Sequence, residues 1–142
     1  MLKITRLADY SVLILCCFNN KNRKVLSARK IKNITGLNIA TVNKLLSLLV
    51  KSKILLSMRG VNGGYSPVKK LQDLSVREII EAVEGPVAIT NCMDTRYGKC
   101  DLINTCCTKN AWSAVNKEVI KTLDSIKIID INHDNSINFL SA

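Results

Sequence analysis

Residues 27–65 read SARKIKNITGLNIATVNKLLSLLVKSKILLSMRGVNGGY, and the pattern of caps, apolar residues and glycines in them predicts a specific fold. Ser27 is a suitable N-cap for a short helix, and Gly36 ends that helix because glycine adopts the left-handed C-cap conformation without strain. Asn38 can cap the next helix. The apolar positions of this second helix follow the i, i+3, i+4, i+7 template at Val42, Leu45, Leu46 and Leu49. Two helices joined by a tight turn, the second with a polar and basic outer face, predict a helix-turn-helix.

The segments ILLSM and GYSPV come next and flank a glycine-rich loop that starts at Arg59. Gly60, Gly63 and Gly64 permit the positive φ values of a tight hairpin tip, and Asn62-Gly63 is a strong turn dipeptide. The pattern predicts the wing of a winged helix, with Arg59 placed to enter a DNA minor groove. Taken alone, an exposed arginine at a hairpin tip equally fits a solubilising role. Beside a helix-turn-helix, the DNA-contacting role is favoured.

Helices are also predicted on both sides of this stretch. Apolar residues at helical spacing indicate a first helix over about residues 5–19. Ser75-Val76-Arg77-Glu78 is a capping box that opens a helix, which Gly85-Pro86 ends. A long amphipathic helix follows further on, with an apolar stripe at Trp112, Val115, Val119, Leu123 and Ile126. The stripe could pack on its own domain or against its twin, and a dimer is favoured because helix-turn-helix proteins commonly read two half-sites.

These elements predict a mainly α fold, in which a winged helix-turn-helix of three helices and a two-stranded wing precedes a long C-terminal dimerisation helix. The 142 residues are about one domain long. We expect a DNA-binding domain over residues 1–86, a cysteine-bearing sensor loop over 87–108, and the dimerisation helix with its tail over 109–142. The last dozen residues read as a polar tail with a few anchoring apolar side chains.

The positive charge is concentrated in the first half of the chain. Residues 1–70 hold fourteen lysines and arginines against one acid, a net charge of +13, whereas residues 71–142 hold seven against ten acids, a net charge of −3. Such asymmetry favours a polyanionic partner, first double-stranded DNA and second an acidic membrane surface. A solvated basic surface without a partner is the alternative.

The beginning of the chain has no signal-peptide pattern, and no apolar run reaches the roughly 18 residues that a membrane span needs. We therefore expect a cytoplasmic protein that does not bind a membrane. Disulfides are disfavoured in that compartment, so the six cysteines read as metal ligands, redox groups or small core residues.

Cys92, Cys100 and Cys106 fall within fifteen residues of a loop-like stretch, VAITNCMDTRYGKCDLINTCC. Thiolates suit zinc, copper(I) and iron–sulfur clusters. Structural zinc sites usually pair ligands two to four residues apart. The gaps here have seven and five intervening residues. Wide spacing suits a larger cluster wrapped by a loop, so iron–sulfur ranks above zinc.

A fourth ligand has several candidates. Cys107 follows Cys106 directly, and neighbouring side chains point in different directions, so we expect a small buried residue or a reserve thiol. His133 stands in the tail and reads as a plain surface histidine. Asp9 is an isolated acid in a basic and apolar first helix, where it could be a carboxylate ligand or the partner of Arg6.

Several motifs together resemble a known family: ITRLADYSV, RGVNGGY, LSVREIIEAVEGP, and three cysteines with Trp112 six residues after the last. They are similar to the winged-helix regulators that include IscR, NsrR and the SUF-system iron–sulfur assembly regulator, over about residues 1–130. The resemblance implies a homodimeric bacterial transcription factor. Its DNA affinity would be set by an iron–sulfur cluster, 2Fe-2S or 4Fe-4S, in each subunit.

The resemblance also implies the metal ligands. IscR-like members use a histidine three residues past the third cysteine, where this chain has Lys109, and the first cysteine gap here is longer by two residues. NsrR-like members take an aspartate from the partner's first helix, and Asp9 stands at the matching place. The implied ligand set is Cys92, Cys100, Cys106 and Asp9 of the partner subunit.

DNA contacts follow from the same resemblance and from the predicted motifs. Arg59 would be the minor-groove arginine, and residues 38–44 would supply major-groove contacts. The predicted DNA-binding residues are Ser27, Arg29, Asn38, Thr41, Asn43, Lys44, Arg59, Asn62, Gly63, Gly64 and Tyr65.

Two other classes of function compete with this interpretation. A zinc-stabilised nucleic-acid or protein interaction module would use the same cysteines without sensing anything. An enzyme has little support, because the chain has one histidine, no nucleophile motif and no phosphate-binding loop before a helix.

Overall fold

A computed structural model describes residues 3–19, 25–96 and 100–133, with side chains up to residue 131. Its elements are α1 (Arg6–Cys16), a 3₁₀ turn (Cys17–Asn19), α2 (Ala28–Thr35), α3 (Ile39–Lys51), β1 (Leu55–Met58), β2 (Gly64–Pro67), α4 (Val76–Glu84), a second 3₁₀ turn (Asn91–Met93), α5 (Lys109–Ser125) and α6 (Ile128–His133). The mainly helical fold with a two-stranded wing is confirmed. The side chain of His133 and most of the predicted tail lie outside the described residues.

The first three helices and the wing form the N-terminal half of the fold, here called the head, and the helices supply its core. The predicted stripe of α3 is confirmed, because Val42, Leu45, Leu46 and Leu49 are fully buried. The helix caps are confirmed too. The Ser27 hydroxyl accepts a hydrogen bond from the Lys30 amide at 3.3 Å, and the Asn38 carbonyl oxygen accepts one from the Ala40 amide at 2.8 Å. Gly36 ends α2 in the left-handed conformation with φ of 71°.

The wing is an antiparallel pair in which Leu55 faces Pro67 and Met58 faces Gly64. It is tied to the head where Leu26 and Tyr65 exchange two backbone hydrogen bonds, of 2.9 and 2.8 Å. The base of the wing is therefore fixed beside the start of α2.

Helix α4 joins the head to the second half of the chain. The predicted capping box is confirmed, because the Ser75 hydroxyl accepts from the Glu78 amide and the Glu78 carboxylate accepts from the Ser75 amide. Ser75 is fully buried, and its hydroxyl also donates to the Asp124 carboxylate at 3.0 Å. The Val76 amide donates to the Ile126 carbonyl at 3.0 Å. The last turn of α5 is thus anchored on the first turn of α4.

Helix α5 is present as predicted, but its apolar stripe is only partly covered by its own chain. Trp112 is 42% exposed and Val115 is 45% exposed, whereas Val119 and Leu123 are half-buried. Helix α6 was not predicted; it begins before the predicted polar tail and runs into the start of it. Its first residue, Ile128, is fully buried in the core of the head. Within the described residues, no helix has the length and apolar character of a membrane span.

Candidate functional site

The outer face of the helix-turn-helix presents the polar and basic side chains expected of a DNA-reading surface. Arg29, Asn43 and Lys44 are exposed, and Thr41 is half-buried at the edge of the same face. The side-chain oxygens of Ser27 and Asn38 are used for helix capping. The amide nitrogen of Asn38 remains the polar group that this exposed residue can turn toward a ligand.

The wing tip differs in detail from the prediction. Positive φ was expected at three glycines, but in the wing only Gly60 has it, at 112°. The turn is closed by a hydrogen bond of 2.9 Å from the Gly63 amide to the Gly60 carbonyl, so its central residues are Val61 and Asn62 rather than Asn62 and Gly63. Arg59 and Asn62 are exposed at this tip.

Gly63 and Gly64 have a steric role in the wing. A Cβ atom on Gly63 would lie 2.4 Å from the Met58 carbonyl oxygen, and one on Gly64 would lie 2.6 Å from the Leu26 carbonyl oxygen. These glycines let backbone approach backbone within the protein. Tyr65 is half-buried and packs against the core. The three residues hold the wing in place, and their predicted contact with DNA stays a prediction.

The cysteines fall into two groups. Cys16 and Cys17 are buried in the core, and burial raises the pKa of the Cys16 thiol. Cys92 and Cys100 are half-buried in the loop, whereas Cys106 and Cys107 are exposed, and these four loop cysteines are free thiols. The alternative that Cys107 is buried is therefore wrong, and a reserve thiol remains.

Two of the loop thiols lie within hydrogen-bond distance of a threonine hydroxyl two residues away. The sulfur of Cys92 lies 3.1 Å from the Thr90 hydroxyl. The sulfur of Cys106 lies 3.3 Å from the Thr108 hydroxyl. This hydrogen bond, assisted by the Thr108 and Lys109 backbone N–H groups, lowers the pKa of the Cys106 thiol. A lowered pKa favours the thiolate, which is the form that binds metals.

Within the described residues, no three cysteine, histidine, aspartate or glutamate side chains are gathered closely enough to hold a metal ion. The single chain thus places Cys92, Cys100 and Cys106 on one loop without bringing them together. The donor chemistry nevertheless fits an iron–sulfur cluster, because all three are free thiols outside the core, and the described parts of their segment contain no strand or long helix.

Asp9 lies in the first turn of α1 and is exposed. Among the described residues it forms no salt bridge, so the alternative pairing with Arg6 is not found. The Asp9 carboxylate is thus open to solvent, and its role as a metal ligand stays a prediction.

Two polar anchors that the sequence did not reveal hold the start of the cysteine loop. Asn116 is buried on α5, where its side-chain oxygen accepts from the Ile89 amide at 2.9 Å and its amide group donates to the Val87 carbonyl at 3.4 Å. Asp94 and Arg96 form an ion pair with an N–O distance of 2.6 Å. In the sequence, Asn116 stands out only as a polar residue beside the apolar stripe of a helix. No sequence pattern indicates the ion pair of Asp94 and Arg96.

Comparisons with known proteins agree with this fold. The family model described as Rrf2, iron-dependent transcriptional regulator, matches residues 4–134. Protein rrf2 of Nitratidesulfovibrio vulgaris is 24% identical over 137 residues, which cover 96% of this chain and 91% of that protein. The regulator IscR of Photobacterium profundum is 28% identical over 109 residues, which cover 75% of this chain and 61% of that protein. The chain therefore matches about three fifths of the length of that relative.

A solved structure has the same architecture. CymR of B. subtilis, described as a global cysteine regulator, superposes with a TM-score of 0.74 at 22% identity, covering 96% of this chain and all of that chain. At this identity the likeness shows the fold alone. The family match spans the winged head, the cysteine loop and α5. The chain belongs to the Rrf2 family of winged-helix transcriptional regulators, which are DNA-binding proteins and not enzymes.

Proposed function

We propose that this protein is a cytoplasmic, homodimeric transcriptional regulator whose operator affinity is controlled by an iron–sulfur cluster held in the cysteine loop. One observation carries the proposal: four free thiols, including the three proposed ligands, lie outside the core on a single loop that follows directly from a DNA-reading head. The buried pair, Cys16 and Cys17, is accounted for by packing.

The proposed ligands are Cys92, Cys100, Cys106 and Asp9 of the partner subunit. Soft thiolates match the donors that such clusters accept, and the carboxylate ligand is proposed from the resemblance to NsrR-like members. When bound, the cluster supplies a group that responds to iron supply, oxygen or nitric oxide. The lowered pKa of the Cys106 thiol and the exposed position of Asp9 support these assignments.

DNA binding is assigned to the face formed by α2, α3 and the wing. In this arrangement Asn43 and Lys44 read the major groove from α3, and Arg59 enters the neighbouring minor groove from the wing tip. All three side chains are exposed, and the first seventy residues carry a net charge of +13. That charge would attract any duplex, whereas the groove contacts would select the operator.

Dimerisation is assigned to α5. Trp112 and Val115 are large apolar residues that their own chain leaves 42% and 45% exposed. Below them, Val119 and Leu123 line a shallow apolar groove on the same helix. An exposed apolar stripe on a helix of 17 residues supports packing against a second copy. Such a dimer would present two heads to an operator with two half-sites.

The cluster is tested by visible absorption of protein purified without oxygen. The wild-type protein should be brown or red, and Cys100→Ala should remove the absorption. Cys107→Ala is the matched control, because it deletes an exposed thiol from the same loop and should keep the colour. Full iron content after combined replacement of Cys92, Cys100 and Cys106 would disprove the ligand assignment, and a colourless zinc protein would indicate the interaction module instead.

The DNA assignment is tested by a footprinting titration with an operator selected from a random library. Arg59→Ala should weaken specific binding by about 1 to 3 kcal/mol if the side chain reads the groove. Lys121→Ala is the control, since it removes the same charge from an exposed position on α5. Equal affinity of Arg59→Ala and wild type would reject the minor-groove role.

A further inference from the structure

Arg96 lies in the cysteine loop, and its backbone amide, Nε and one terminal nitrogen donate hydrogen bonds to Asp94. Its Nε donates to both carboxylate oxygens of Asp94 at 3.0 and 3.1 Å, and a terminal nitrogen donates to Oδ2 at 2.6 Å. The Arg96 backbone amide adds a bond of 2.9 Å to Oδ1. Asp94 is only 7% exposed. The pair therefore fixes the loop backbone at residues 94–96.

The other terminal nitrogen of Arg96 reaches out of the loop. It donates to the backbone carbonyl of Glu84, the last residue of α4. The guanidinium lies against Gly85, where an added Cβ atom would be 2.5 Å from the Arg96 nitrogen. Gly85 also has φ of 90°, which favours glycine. Both the side chain of Arg96 and the glycine are thus fitted to this contact.

Glu84 continues the connection into the DNA-reading head. Its carboxylate accepts a hydrogen bond from the Thr5 hydroxyl. Thr5 is the N-cap of α1, and its hydroxyl oxygen accepts from the Ala8 amide at 3.3 Å. Helix α1 carries Asp9 and packs directly against the recognition helix α3. A continuous chain of polar contacts therefore runs from the cysteine loop to the helix that supports the DNA-reading face.

We propose that the Arg96–Asp94 pair is a positioning latch that transmits the state of the cysteine loop to the DNA-reading head through Glu84 and Thr5. This inference rests on the proposed function. Cys92 lies two residues before Asp94, and Cys100 lies four residues after Arg96. Because the described loop does not gather the ligand thiols, gathering them must change the conformation of the loop in which Asp94 and Arg96 lie between two of the proposed ligands. Displacement of Arg96 then acts on the end of α4 and, through Glu84, on the start of α1.

The first test compares operator affinity in the cluster-loaded and cluster-free proteins. Arg96→Ala and Asp94→Asn should keep the iron content of the wild type, since neither residue is a proposed ligand. In both variants the two dissociation constants should come to within about twofold of each other. Lys121→Ala, an exposed control on α5, should keep the wild-type ratio. A wild-type ratio in both latch variants would overturn the inference.

The second test needs no cluster and so separates the latch from the proposed function. Amide hydrogen exchange is measured on the metal-free protein over residues 85–96. Arg96→Ala should speed exchange there by about tenfold, because a charged hydrogen-bond network closes this segment. Unchanged exchange would overturn the latch even if the wild type binds a cluster. If exchange is faster in Arg96→Ala but the wild type binds no cluster, the latch contacts are supported and the proposed function is rejected.

Discussion

Cys16 and Cys17 share a residue type with Cys106 and Cys107, yet the two pairs lie in opposite surroundings. The first pair is packed at the end of α1 within the core, where burial raises the pKa of Cys16. The second pair is exposed just before α5, where hydrogen bonds lower the pKa of Cys106. The contrast shows that the fold, and not the number of cysteines, selects which thiols are available for chemistry.

The same contrast extends to the regions around them. The head is held by fully buried aliphatic side chains such as Leu15, Leu45 and Ile79. The cysteine loop is held by polar contacts instead. Asp94 is the one buried residue in its described part, and the buried Asn116 of α5 accepts a hydrogen bond from the Ile89 amide. Apolar packing is cooperative across a whole core, whereas a few hydrogen bonds can open locally. The loop is therefore the part of the molecule suited to changing shape while the head stays folded.

The largest expected difference is in thiol reactivity. In the native metal-free protein, iodoacetamide should label Cys106 and Cys107 at least about a hundredfold faster than Cys16 and Cys17, because the core pair reacts only when the head opens. Peptide mass mapping over a time course measures the rates. Labelling of Cys16 at the rate of Cys106 would remove the distinction between the two groups.

A matched pair of leucine substitutions compares the regions by stability. Leu46→Ala should lower the free energy of unfolding by about 3 kcal/mol, since it leaves a cavity at a fully buried site of α3. Leu102→Ala, at a loop residue that is 66% exposed, should change it by less than about 0.5 kcal/mol. Urea titrations at one protein concentration give both values. Similar losses would show that the loop is packed like the head.

A smaller effect is expected where the two regions join. Ser75→Ala removes the cap of α4 and the hydrogen bond to Asp124, which should lower the free energy of unfolding by about 1 to 2 kcal/mol. Ser113→Ala, at an exposed position of α5, is the control and should have little effect. If the urea midpoint of Ser75→Ala equals that of the wild type, the junction between α4 and α5 does not depend on this side chain.

The head could be predicted from the sequence because its signals are local. The caps at Ser27, Asn38 and Ser75, together with the periodic stripe of α3, specify helices by contacts within a few residues. Helix α6 was missed because it is short and depends on the burial of Ile128 against distant residues.

The contacts of the loop could not be predicted for a related reason. The bonds of Arg96 to Glu84 and of Asn116 to Ile89 join residues that are 12 and 27 positions apart. No spacing rule links such pairs. Gly64 shows the same limit: its motif predicted the hairpin correctly, whereas its steric role depends on the Leu26 carbonyl across the fold. The type and spacing of the three loop cysteines could be recognised in the sequence. That a single chain holds them too far apart to bind one metal ion could not be predicted.

Native mass spectrometry of the protein purified without oxygen tests the central claim most directly, because it weighs the subunits and any bound iron and sulfide together. We expect a dimer that carries one iron–sulfur cluster per subunit, with loss of the added mass in Cys100→Ala and its retention in Cys107→Ala. A wild-type dimer or monomer with no added mass, or with the mass of zinc alone, would contradict it.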